Sequence, residues 1–251
     1  MVFLLAPRPI MTYPGKASSA DDARLAARWL RDQLGQRDEP IGSLMSVCEH
    51  VGQFVLVTRL QGEGASAIDR DLGAAVVSVQ GDPGRRRATA AHELGHLVLG
   101  DEYSSDLGVH ASRADREAVI DAFAAEFLLP VAAFAQDVTP ERPITRDRLL
   151  HFAARYRTSW SLTLRQAEAA GIQAIPRRWA QSNPTRAEFL EALSWTPQPD
   201  LEGIRVPPSF ARAVMRAYRE GFVTARRAVE LMHGEIQEND LPADSEGDTA
   251  P

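Results

Sequence analysis

Thr89-Ala90-Ala91-His92-Glu93-Leu94-Gly95-His96-Leu97-Val98-Leu99-Gly100 decides how the rest of this 251-residue chain is read. On an α-helix, positions i and i+4 are offset by only about 40° and stacked about 6 Å apart, so the imidazoles of His92 and His96 can reach one metal ion from the same face. Glu93 lies one residue round from His92, where it does not readily ligate that ion but can take a proton from a water held there. Leu94, Leu97, Val98 and Leu99 supply an apolar face, and Gly100-Asp101 reads as a stop signal. With six His and 17 Glu in the chain, composition alone would produce His-Glu-x-x-His in roughly one such sequence in a hundred. The competing reading is a helix whose histidines are merely hydrogen-bonded. Either way the polar atoms of two His and a Glu on an apolar helix need partners. The pattern points to metal-dependent hydrolysis, with zinc as the ion.

Such a site needs a third protein ligand and an open position for water. Glu117-Ala118-Val119-Ile120-Asp121 places two carboxylates at i and i+4 on a second helix that runs through Ala122 to Leu129 and stops at Pro130. Glu117 is the candidate third ligand. Asp121, one turn along, is placed to accept the remaining N–H of a ligating His and so fix its tautomer. Glu126 competes with Glu117 but lies about half a turn of the helix away from it, so both cannot face the ion. His110 is a further candidate, in a Ser- and Gly-containing stretch read as a loop.

At these residues the chain resembles the ImmA/IrrE metallopeptidases, a gluzincin-like family with a Thr-x-Ala-His-Glu-x-Gly-His segment followed by an acidic helix ending in Phe-Ala-Ala-Glu-(Phe/Leu)-Leu-(Leu/Met)-Pro. Here these are Thr89 to His96, with Ala90-Ala91 before the motif, and Phe123 to Pro130. Many members carry a second Glu where this chain has Val119, a departure that leaves Glu117 and Asp121 with the Glu-x-x-x-Asp spacing of gluzincins. The resemblance, covering about residues 20–171, implies an α+β fold: a zincin-like metallopeptidase domain with a small β-sheet, joined to a mostly helical C-terminal part. It implies Zn²⁺ held by His92, His96 and Glu117, with Glu93 as general base. It also implies cleavage of one regulator, a helix-turn-helix repressor or antitoxin, in stress response, mobile-element or toxin–antitoxin control. Two other classes are weighed against it: a non-catalytic, metal-stabilised toxin or regulator scaffold, and a helix-turn-helix DNA-binding regulator.

The remaining sequence reads as follows. Residues 1–19 are a weakly ordered leader, too short in apolar length for a signal peptide or membrane span. Residues 20–175 form the peptidase domain. Within it, Asp21 to Leu34 and Ile41 to His50 have helical spacing. Phe54-Val55-Leu56-Val57 and Ala74 to Val79 are β-rich runs flanked by Gly. Leu149 to Tyr156 and Leu162 to Ala170 read as two helices joined by a turn, either a packing unit or a DNA-reading pair. Residues 176–234 are a helical C-terminal region with helices opening at Pro207-Pro208-Ser209 and Thr224, and 235–251 an acidic disordered tail. The single cysteine, Cys48, excludes an intrachain disulfide and suits core packing in a reducing, cytoplasmic compartment. Net charge of −6 argues against direct nucleic-acid binding and, with no apolar span, against a membrane partner.

Overall fold

A computed structural model describes residues 8–100, 110–135, 137, 144–173 and 175–242. The fold is α+β. Helix α1 (Ala20–Gln33) opens with a capping box in which the Ser19 hydroxyl accepts from Asp22 N–H and the Asp22 carboxylate accepts from Ser19 N–H. It buries Ala23, Ala26, Ala27 and Leu30, the i, i+3, i+4, i+7 stripe of an amphipathic helix. Helix α2 (Leu44–Val51) is capped by Ser43 and ends at Gly52, whose φ of 97° needs glycine. A Cβ there would also stand 2.8 Å from the Ile10 Cα.

The chain then enters β1 (Gln53–Thr58), β2 (Gly64–Asp69) and β3 (Leu72–Ser78). The sheet order is β1-β3-β2, with β1 parallel and β2 antiparallel to β3. The sequence reading finds β1 and β3 but not β2. Gly64-Ala65-Ser66-Ala67-Ile68-Asp69 has little intrinsic strand preference, and its conformation is set by pairing with β3. Helix α3 (Pro83–Val98) crosses the sheet, and α4 (His110–Leu128) packs on α3 and α1. Arg31 of α1, fully buried, ties this arrangement together by donating to the carbonyls of Phe127, Arg37 and Glu39.

After α4 come α5 (Arg146–Tyr156) and α6 (Trp160–Ala169), the second capped by Ser159 and so starting two residues before the expected Leu162. α5 buries Leu149, Leu150, Phe152, Ala153, Ala154 and Tyr156, and α6 buries Trp160, Leu162, Thr163, Leu164, Gln166 and Ala167. These faces complete the core. Then follow α7 (Arg186–Leu193), missed in the sequence, α8 (Pro208–Arg219) and α9 (Ala225–Leu231). α8 and α9 enclose a small cluster of Val206, Val214, Ala228 and Met232. No described helix is long and apolar enough to cross a membrane.

Both ends of the described chain are tied to this frame. Within the 1–19 stretch read as a leader, Met11 N–H donates to Val51 O, Tyr13 N–H to Val98 O, and the Tyr13 ring sits edge-on to Trp29. Toward the C-terminus, Leu201 is buried in the main core, and the Asp200 carboxylate pairs with the buried Arg87 guanidinium and accepts from Leu44 N–H. Arg205 and Val57 exchange backbone hydrogen bonds of 2.9 and 3.0 Å, which covers the outer edge of β1. Glu49 accepts from both Ser209 N–H and Ser209 Oγ. Replacing Asp200 by Ala leaves a buried guanidinium with its charge uncompensated, so chemical denaturation of Asp200→Ala should show a loss of about 3 kcal/mol. A stability equal to the parent's would contradict this role for the pair.

Candidate metal centre

Helix α3 is prepared at its start: Asp82 accepts from Gly84 N–H and Arg85 N–H, with Pro83 at the first helical position. Ten residues later the helix meets α4. Gly95 is the contact point, because a Cβ there would stand 3.0 Å from both Ile120 Cγ2 and Phe123 Cδ1. This close approach carries the carboxylates of α4 to the imidazoles of α3.

The resulting cluster is compact. His92 Nε2 and His96 Nε2 are 3.2 Å apart, and Glu117 Oε2 lies 3.1 Å from the first and 3.8 Å from the second. Three donors on a tetrahedral zinc, with bonds near 2.0–2.1 Å, would stand about 3.3 Å from one another. The Asp121 Oδ1 lies 2.9 Å from His92 Nδ1. A carboxylate accepts, so Nδ1 carries the proton and Nε2 presents its lone pair toward His96 and Glu117. Lone pairs and a carboxylate turned on one point are a donor set suited to a cation. Among the described residues, His92, His96 and Glu117 form a group whose ligand atoms all lie within 4.8 Å of one another.

Electrostatics follow the same geometry. Burial pulls the His92 pKa down, but the hydrogen bond and charge of Asp121, with the charges of Glu93 and Glu117, outweigh it and hold the imidazole above its ordinary value. Asp121 is lowered in turn, first by its hydrogen bond to His92, against a desolvation effect that raises it. Arg165 on α6 is close enough to add to that lowering.

Glu93, one residue round α3 from His92, faces β2. Its side chain is nearly buried, and Oε2 accepts a 2.5 Å hydrogen bond from Ser66 Oγ on β2. Gly64 on the same strand leaves it room: a Cβ at that position would lie 3.2 Å from Glu93 Oε1 and 2.6 Å from Thr89 Cγ2. The Glu93 carbonyl accepts from Gln53 Nε2 at 2.9 Å. Sequence reasoning missed Gly64, Ser66 and Gln53, and the only signal was the alternation of small residues in a weak strand.

The competing candidates separate cleanly. Glu126 is fully buried on another face of α4, where its carboxylate accepts from Arg28 Nε at 2.8 Å, Val131 N–H at 3.2 Å and Gln166 Nε2 at 3.2 Å. Those partners make it a brace between α1, α4 and α6. His110 is the first residue of α4, not part of a loop. Its side chain lies outside the described residues. Cys48 is buried, and burial pushes its thiol up to about 12, so it is an inert packing residue. Gly95→Val should lose about 1–3 kcal/mol of stability by forcing α3 and α4 apart. It should also weaken zinc uptake in a competition titration against a chromophoric chelator; uptake equal to the parent's would show that the close approach is not needed.

The cluster lies within one recognisable segment. Residues 49–167 match the family model Peptidase_M78, described as the IrrE N-terminal-like domain. A comparison with curated proteins found no match. The matched segment includes β1, β2, β3, α3 and α4 and therefore His92, Glu93, His96, Glu117 and Asp121. Over residues 49–167, the segment that holds the cluster, the chain is thus similar to the metallopeptidase domain of the ImmA/IrrE family.

Proposed function

We propose that this protein is a zinc-dependent endopeptidase of the cytoplasm that cleaves one particular regulator, a helix-turn-helix repressor or antitoxin. The observation that carries the reading is the triangle of His92 Nε2, His96 Nε2 and Glu117 Oε2 beside the Asp121-held imidazole. Zinc bound by these three side chains would supply a Lewis acid that polarises a peptide carbonyl and makes a nearby water more acidic. Asp121 keeps His92 in the tautomer that ligates. Glu93 accepts the proton of the attacking water and hands it to the departing amine. The regulator class, the stress or mobile-element setting and the cytoplasmic location come from the family resemblance.

The sheet offers a place for an extended substrate. β1 has its outer edge covered by Arg205, whereas β2 pairs with β3 on one side and with no other described strand. Antiparallel ladders alternate between residues whose main-chain groups bond the neighbour and residues whose groups turn away. Ser78 N–H donates to Glu63 O at 2.8 Å. The alternation then directs Ala65 and Ala67 toward β3 and turns the main-chain groups of Gly64, Ser66 and Ile68 outward. A peptide added there as a further strand would run beside α3. The DNA-reading alternative gains no support from α5 and α6, whose apolar faces are spent on the core.

Two experiments test the reading. Purified parent protein should take up about one zinc per chain, His92→Ala and Glu117→Ala should lose it while remaining folded, and Asp121→Asn should bind about 10-fold to 100-fold more weakly. A folded parent that takes up no zinc overturns the proposal. In cells, labelling of protein N-termini should reveal a new terminus within a helix-turn-helix protein when the parent is present and none with Glu93→Gln. An unchanged biological effect of Glu93→Gln would instead support the non-catalytic scaffold.

A further inference from the structure

Ser66 faces two ways. Its side chain shares the α3 side of β2 with Gly64 and Ile68, while Ala65, Ala67 and Asp69 expose theirs. Its main chain, by the alternation of the β2–β3 ladder, turns toward the unpaired edge of the sheet. On the α3 side, Ser66 Oγ donates to Glu93 Oε2 at 2.5 Å. Among the described residues this hydroxyl is the one hydrogen-bond donor to that carboxylate, and Oε1 is left without one.

We infer that Ser66 is a positioning residue for Glu93, holding one carboxylate oxygen so that the other is presented for proton transfer. The inference rests on the peptidase reading of the same site. Three features of the structure support it. A Glu side chain has three rotatable bonds, and a short charge-assisted hydrogen bond to one oxygen removes most of that freedom. The donor sits on a strand, not a mobile loop, and its register is fixed by six consecutive pairs with β3, Gly64↔Val77 through Asp69↔Leu72. A slip of one residue would carry the hydroxyl to the opposite face of the sheet. Finally, Gly64 two residues away keeps the space beside Oε1 clear of a side chain; a Cβ there would stand 3.2 Å from that oxygen. Gly64 and Ser66 thus form a cradle, one residue leaving the space and the other supplying the hydrogen bond.

The test uses the zinc-loaded full chain and acetohydroxamic acid, which chelates zinc and gives up its acidic proton to a nearby carboxylate. Ser66→Ala should keep one zinc per chain and a cooperative unfolding transition, yet bind acetohydroxamic acid about 10-fold to 100-fold more weakly in calorimetric titration. Ser66→Thr, which restores a hydroxyl on a strand-compatible side chain, should bind as the parent does. In a Glu93→Gln background, Ser66→Ala should add little further loss. Binding by Ser66→Ala as tight as the parent's, or failure of Ser66→Thr to restore it, overturns the role of Ser66. If Glu93→Gln itself binds the hydroxamate as tightly as the zinc-loaded parent, the assignment of Glu93 as base fails, and with it the peptidase reading. The two failures are therefore distinguishable.

Discussion

The close crossing of α3 and α4 at Gly95 is the constraint on which the centre depends. With hydrogen in place of a side chain, Ile120 and Phe123 settle directly against the motif helix. Glu117 and Asp121 are then brought to the two ring nitrogens of His92, one to each. Elsewhere the fold reinforces that crossing. α1 braces α4 through Arg31 and through the Arg28–Glu126 pair, and α6 reaches the same carboxylate with Gln166. The sheet supports α3 from another side and contributes Ser66 to Glu93. Each element that touches the centre is itself fixed by buried contacts.

The two carboxylates that matter most on α4 illustrate how one helix can divide its labour. Glu117 and Asp121 share a partly exposed face with the histidines, whereas Glu126, turned into the interior, is saturated by a guanidinium, a backbone N–H and a carboxamide. An acceptor whose lone pairs are already committed has little left to offer an ion. Burial alone would therefore favour Glu126, whereas the approach of Glu117 Oε2 to His92 Nε2 and His96 Nε2 makes Glu117 the candidate ligand.

How much of this was legible in the chain follows from whether each relation is local. His92, Glu93 and His96 lie within one helical turn of each other, so spacing translates directly into geometry. Glu117 and Asp121 were legible as a pair for the same reason, and their spacing already favoured Glu117 over Glu126, but the partners that engage Glu126 come from α1 and α6 and show only in the packed structure. β2 was invisible because Gly, Ala and Ser carry little strand preference and its pairing partner is supplied by the tertiary fold. The Arg87–Asp200 pair spans 113 residues and ends in a Pro-containing stretch with no periodic pattern of its own. No local pattern could announce it. The helical segments near Pro208 and Thr224 were readable because proline at a first turn and threonine at a cap are local signals.

The strap formed by residues 200–209 bears on where this domain can be cut. The family match ends at residue 167, yet Asp200, Leu201, Arg205 and Ser209 are all engaged with elements that precede that point. A fragment stopped at the end of the match would leave Arg87 charged and unaccompanied, and would bare the N–H and C=O groups of Val57. An uncovered strand edge beside a newly exposed apolar surface invites self-association. The unit that excises as a soluble piece therefore extends at least through the strap, some forty residues beyond what the family pattern alone would suggest.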